Sequence, residues 1–282
     1  MENYKNYVFD LYGTLLDIRT DERDLKLWKI MKDFYNAYGC EWKKKRMRDT
    51  FFLFDAGERQ RQRVLTGILR PEIRIERVFA RLLFEGCPSH SCSFSIGGIP
   101  VDELRERYRT DIEGVLSVTE KSEWAVSTAN LFRTVSRKYV SPYADTMDTL
   151  NALKARGCRL YLLSNAQRLF TMPEIEATGL NRTLDKIYIS SDYGMMKPEK
   201  EYMQILLKEE GLNPDETVMV GNEIESDIAI ALRCGMHSIY LNTFSYTSKE
   251  TARRLNRLIS EEDASDDLYP HIISSGKIGE IL

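Results

Sequence analysis

The sequence predicts an α/β fold: a parallel sheet covered by helices and interrupted, early in the chain, by an all-helical insert. Three observations carry that reading. A short apolar run, Tyr7 to Phe9, has the length and flanking turn of a buried strand. From Pro142 onward such runs alternate with helical patterns, the arrangement that parallel α/β sheets require. Between the two, apolar residues recur at helical rather than strand spacing. Residues 1–18 and 140–282 are therefore expected to form the sheet-containing core, and 19–139 a separate helical domain.

The opening run stops at Asp10-Leu11-Tyr12-Gly13-Thr14, delivering a carboxylate to the strand's end before a glycine turn. In a parallel sheet that end borders the ligand crevice. In the insert, Thr20 or Asp21 is placed to cap a helix whose Leu25, Trp28, Met31, Tyr35 and Tyr38 share a face, with Gly39 at its end. Pro71 is expected as the first residue of another helix, which aligns Ile75, Val78, Phe79 and Leu82. Gly86 to Pro100, rich in glycine, proline and serine, reads as a loop. Helical pattern returns over Val101 to Tyr108 and from about Ser122 to Tyr139. In the core, Ala144 to Arg156 is a helix closed by Gly157. Strands follow at Arg159 to Leu163, Lys186 to Ile189, Thr217 to Val220 and His237 to Leu241, with an edge strand at His271 to Ile273. Thr243 to about Asp267 is polar with helical character, and a short helix closes the chain near Ile278.

The 282 residues are 43% apolar and 29% charged, a globular profile without the signature of disorder. No run approaches the ~18 apolar residues of a membrane span. A net charge of −3 argues against bulk electrostatic binding to nucleic acid. The chain enters its first strand at once, so no signal peptide is expected. Five scattered cysteines (Cys40, Cys87, Cys92, Cys158, Cys234) point to a reducing, cytoplasmic setting. Cys87 and Cys92 flank His90, yet no second Cys/His pair completes four ligands, so unpaired thiols are expected. The basic residues Lys43 to Arg46, Arg48, Arg59, Arg61 and Arg63 are read as a solvated face.

Chemistry gathers at the strand ends. Asp10 follows the first core strand, and Ser164 with Asn165 the second. Lys197-Pro198 lies shortly after the third, and Glu223 and Asp227 follow the fourth. A parallel sheet brings these ends to one edge. Asp10 is then placed to attack phosphorus as a nucleophile, splitting a hard hydrolysis into two steps. Ser164 and Lys197 are placed to hold the phosphoryl oxygens, and acidic oxygens beside Asp10 to hold Mg²⁺.

The order Asp10-x-Tyr12-Gly13-Thr14, Ser164-Asn165, Lys197-Pro198 and Gly221-Asn222-Glu223-x-x-x-Asp227 resembles the four motifs of the haloacid dehalogenase superfamily. The resemblance covers nearly the whole chain, because the helical insert matches that family's cap. It implies a Rossmann-like three-layer core, an Asp10 nucleophile, and a substrate site that includes Gly13, Thr14 and Asn165. For most members it also implies Mg²⁺-dependent phosphatase activity on a small molecule, with the cap closing over the site and choosing the substrate.

Two positions depart from that pattern. Family phosphatases carry a second Asp two residues after the nucleophile, as acid/base and as a metal ligand through its backbone carbonyl; here the residue is Tyr12. A phenol of pKa ~10 is no carboxylate base, although it can donate a hydrogen bond and its carbonyl remains available. The family's 2-haloacid dehalogenases, which displace halide from carbon without a metal, have tyrosine in this place. Asn222 stands where phosphatases have a metal-binding Asp, with Glu223 beside it and Asp227 retained. The expected Mg²⁺ ligands are thus Asp10, the Tyr12 carbonyl, Asn222 or Glu223, and Asp227. Arg19 and Arg23, where such a dehalogenase needs an arginine, are read as exposed helix-start residues, and Tyr202 as a core aromatic. The expected activity is a Mg²⁺-dependent phosphatase acting on a small phosphomonoester through an aspartyl-phosphate on Asp10. The alternatives are a metal-independent 2-haloacid dehalogenase and a non-catalytic ligand-binding member.

Overall fold

Period-two alternation builds the sheet-containing unit. The computed structural model describes residues 4–87 and 94–282. Its six core strands are β1 (Asn6–Phe9), β2 (Arg159–Ser164), β3 (Lys186–Ile189), β4 (Thr217–Gly221), β5 (His237–Leu241) and β6 (His271–Ile273). They form one parallel sheet in the order β6-β5-β4-β1-β2-β3. Tyr7, Phe9, Leu160, Leu162, Val218 and Val220 point to one face, where they meet Leu150, Leu153, Ile175 and Ile281. Val8, Tyr161, Leu163 and Met219 point to the other, against Tyr202, Met203, Leu206 and Ile230. Buried on both faces, the strands read as continuous apolar runs. The result is the expected three-layer α/β fold.

The strand order reverses beside β1. The chain runs from β1 outward through β2 and β3, then crosses back to place β4, β5 and β6 on β1's other side. Phe9 pairs with both Leu162 and Val220, so the end of β1 opens between two neighbours. That reversal is where an open α/β sheet forms its ligand crevice.

Among the described residues the chain divides into two compact units: Met1–Ile18, Ile68–Glu72 and Tyr139–Leu282 form one, and Arg19–Gly67 with Ile73–Lys138 the other. The second unit is helical, with α1 (Leu25–Ala37), α2 (Lys44–Thr66), α3 (Ile75–Gly86), α4 (Val101–Tyr108), α5 (Ile112–Thr119) and α6 (Glu123–Ser136). Its centre is aromatic: Phe51 lies 5.1 Å from Trp28, 5.2 Å from Phe132 and 5.7 Å from Phe79 between ring centroids.

Three sequence expectations are corrected here. The cap of α1 is Asp24, which accepts from the Lys26 N–H at 2.8 Å, rather than Thr20 or Asp21. Pro71 does not open α3, which starts four residues later. The backbone around Pro71 bonds instead to another stretch of the first unit: Met196 N–H donates to the Arg70 carbonyl and Glu72 N–H to that of Gly194. In the expected loop, Ser95–Ile96 and Ile99–Pro100 form a small hairpin that turns at Gly97-Gly98. Cys92 and His90 lie outside the described residues. The Cys87 sulfur lies 3.2 Å from that of Cys40. Among the described residues, no helix is long and apolar enough to cross a membrane.

Candidate active site

The end of β1 is pinned before it bends. The Asp10 N–H donates to the Val220 carbonyl at 2.9 Å, continuing the ladder one residue past the strand. Gly13 then turns with φ +86°, its N–H bonded to the Leu16 carbonyl. A Cβ at Gly13 would stand 2.1 Å from Asn222 Nδ2, so glycine is needed both for the turn and for the approach of Asn222. The Thr14 hydroxyl lies 3.4 Å from Asp10 Oδ2 and 3.3 Å from Asn222 Oδ1, tying the first motif to the last.

Lys197 joins the remaining two carboxylates. Its ammonium, 1% exposed, lies 2.7 Å from Asp10 Oδ1 and 2.7 Å from Asp227 Oδ1. The contact to Asp10 is an aligned hydrogen bond, whereas Asp227 Oδ1 is held by charge with poorer alignment. Asp227 Oδ2 accepts the Glu223 N–H at 2.9 Å, and the absence of a Cβ on Gly221 gives that carboxylate room. The turn carrying it, Ile224–Ile228, is wound as a π-helix, a form enriched at functional sites.

Asn165 holds Lys197 by its backbone. The Asn165 Oδ1 accepts the Lys197 N–H at 2.7 Å, and Nδ2 donates to the Lys197 carbonyl at 3.1 Å. The amide expected to touch substrate thus also places the lysine. Tyr202 is fully buried, as expected, and its hydroxyl donates to the Ser164 carbonyl at 3.2 Å. The Ser164 hydroxyl is itself buried and makes no hydrogen bond in the structure. A buried hydroxyl without a partner is costly unless a ligand completes it.

Charge in this crevice does not balance. Two buried carboxylates face one ammonium. Burial pushes the Asp10 carboxyl up to about 7; the Lys197 charge opposes that rise, and the charges of Asp227 and Glu223 add to it. Burial disfavours the charged lysine, yet Asp10 and Asp227 more than offset this and hold it above its ordinary value. Glu223 is exposed at the rim, its carboxyl raised by desolvation of its inner side and by Asp227.

Tyr12 departs furthest from expectation. Its hydroxyl reaches the helix Arg168–Thr178 (α8, counting α7 as Thr146–Ala155), lying 2.5 Å from Glu174 Oε2 and 3.2 Å from Thr171 Oγ1. Glu174 is 1% exposed. No sequence signal marked Thr171 or Glu174, because their pairing with Tyr12 arises only when α8 packs beside β1.

The oxygens present suit a hard cation. Asp10 Oδ2 and Asn222 Oδ1 converge on the same Thr14 hydroxyl, and the residual negative charge favours a positive partner there. Asp227, expected among the ligands, lies 2.7 Å from the Lys197 ammonium as its counter-ion. Among the described residues, no cluster of three His, Cys, Asp or Glu has metal-holding geometry. Arg19 and Arg23 are exposed as expected, Arg23 stacking over Phe52.

This fold and this ordering of a strand-end Asp, Ser, Lys and Asp define a class, and comparison with known proteins agrees. The family model for haloacid dehalogenase-like hydrolases matches residues 4–235. The chain belongs to that family. It is 30% identical over 112 residues to the glyceraldehyde 3-phosphate phosphatase of Methanothermobacter thermautotrophicus, a match covering 40% of the chain and only 50% of that relative. It is 22% identical over 246 residues to the (S)-2-haloacid dehalogenase of Pseudomonas fluorescens, covering 86% of each. The crystal structure of 2-haloacid dehalogenase from Pseudomonas syringae pv. Tomato superposes with a TM-score of 0.58 at 16% identity, covering 99% of the chain and 96% of that structure. At that identity the likeness concerns the fold alone.

Proposed function

We propose that the chain is a phosphohydrolase in which Asp10 attacks the phosphorus of a small phosphorylated substrate. One observation carries this reading: an unpartnered buried hydroxyl, Ser164, and a buried ammonium, Lys197, both stand at the strand ends beside Asp10. Together they supply a donor and a positive charge for phosphoryl oxygens, whose charge spreads in the transition state. Lys197 holds Asp10 Oδ1 and orients the carboxylate for attack on phosphorus. Asn165 keeps Lys197 in place and Asp227 keeps it charged. Gly13 and Thr14 set the loop that brings Asn222 to the nucleophile.

Asp10, the Tyr12 carbonyl, Asn222 and Glu223 would hold Mg²⁺, which would neutralise phosphoryl charge when bound. A second reading, displacement of halide from a 2-haloacid, is favoured by two side chains: neutral Asn222, and Tyr12 with its hydroxyl turned onto Glu174.

A release assay tests both. Purified protein with Mg²⁺ should free phosphate from p-nitrophenyl phosphate, and Asp10→Asn should lower kcat by about 10⁴-fold or more. Halide release from 2-chloropropionate that persists in chelator, without phosphate release, would replace this reading by the second.

A further inference from the structure

An alkoxide leaving group needs a proton as it departs, whereas a carboxylate does not. The difference is large: carboxyl groups have a pKa of about 4, whereas an alkanol, like water, holds its proton far above neutral pH. The groups around Asp10 are therefore informative for what they can donate. The Lys197 ammonium is gripped by two carboxylates and fully buried. The Thr14 hydroxyl is shared between Asp10 and Asn222, and Ser164 offers only a weakly acidic hydroxyl. The Tyr12 phenol, nearest in sequence, gives its hydrogen to Glu174 at 2.5 Å and also touches Thr171. Glu174 lies beneath it at 1% exposure, with its Oε2 taken by the phenol.

We infer that the Tyr12–Glu174 lock, which holds the phenol away from the nucleophile, restricts the site to substrates whose leaving group is stable as an anion, namely acyl phosphates. This rests on the phosphohydrolase reading and narrows it. In the first step an Asp10 oxygen bonds to phosphorus as the bond from phosphorus to the acyl oxygen breaks. The electron pair leaves with the carboxylate and no proton is required. In the second step water attacks phosphorus, the bond to Asp10 breaks, and the water's protons remain with the released phosphate as dihydrogen phosphate. Glu174 is here a positioning residue. It never meets the substrate, and it acts by keeping the Tyr12 hydroxyl out of the reaction.

The test compares two probes of nearly equal size, acetyl phosphate and ethyl phosphate, on the full chain with Mg²⁺. General acid catalysis contributes roughly 10²–10⁴-fold, so kcat/KM for acetyl phosphate should exceed that for ethyl phosphate by at least about 10²-fold. Tyr12→Asp, confirmed folded by its thermal melt, should narrow that ratio by raising ethyl phosphate turnover. Glu223→Gln should leave the ratio where it is, whatever it does to both rates. Comparable rates on the two probes would leave the phosphohydrolase reading standing and overturn the inference. So would a folded Tyr12→Asp with an unchanged ratio, or selective loss of ethyl phosphate turnover in Glu223→Gln, which would make Glu223 the acid. Release of phosphate from neither probe, nor from p-nitrophenyl phosphate, would overturn the phosphohydrolase reading and the inference with it.

Discussion

Gly13 and Asn165 show how much of the site depends on residues without chemistry of their own. Gly13 combines a left-handed backbone with a contact that leaves no space for a methyl group. Gly13→Ala should therefore cost about 2 kcal/mol or more and displace Asn222, read as a lowered midpoint in urea unfolding together with lost turnover. Unfolding at the wild-type midpoint would contradict the role assigned to it. Asn165 binds Lys197 through both its main-chain N–H and its carbonyl. Asn165→Ala should cost about 1–3 kcal/mol and lower kcat by roughly 10- to 100-fold through misplacement of the ammonium. A change in KM with kcat intact would mean instead that the amide meets substrate. In the sequence Gly13 and Asn165 stood out as motif members, but their roles did not. Gly13's steric need is set by Asn222, which arrives from more than two hundred residues away, and the Asn165 amide's partner by a loop 32 residues on.

At the scale of elements, the helices of the insert depend on caps and internal ion pairs. Asp24 caps α1, and the Lys26 N–H bond, with Lys138 behind it, holds its carboxyl below the ordinary 3.8. A depressed carboxyl stabilises above its unfolded pKa and loses that effect as pH falls through the folded value. The Tm difference between wild type and Asp24→Asn should hold near neutral pH and shrink once pH falls below the ordinary carboxylate range; a gap that widens in acid would reverse the sign argued here. Arg77 of α3 ties three helices together, reaching Glu58 at 3.1 Å, Glu113 at 2.9 Å and Glu120 at 3.1 Å. Glu120 is 9% exposed and loses its partner in Arg77→Ala, whereas Glu58 keeps Arg61 at 3.2 Å, so the substitution should cost about 3 kcal/mol by chemical denaturation. Element positions were legible where periodicity was strong, as in all six core strands. They were not legible at Pro71, where tertiary bonds to residues 194–196 overrode the helix-start preference of proline.

At the scale of the molecule, the sheet order converts sequence distance into proximity. Asp10 and Lys197 are separated by 187 positions yet meet at 2.7 Å. The strand ends were readable from alternating patterns, and the sheet rule then predicted a shared edge. Partner choice within that edge was not readable: Asp227 serves the lysine, and Tyr12 serves α8. The central claim is that Asp10 attacks phosphorus, and the two chemistries open to this family leave different isotopic traces. Turnover of acetyl phosphate in heavy-oxygen water, followed by mass spectrometry of the released phosphate and of the peptide containing Asp10, separates them. The account predicts heavy oxygen in the phosphate and none in Asp10, because water attacks phosphorus and the Asp10 oxygen is returned. Heavy oxygen in the Asp10 carboxylate, the mark of an ester opened at its carbonyl carbon, would contradict it.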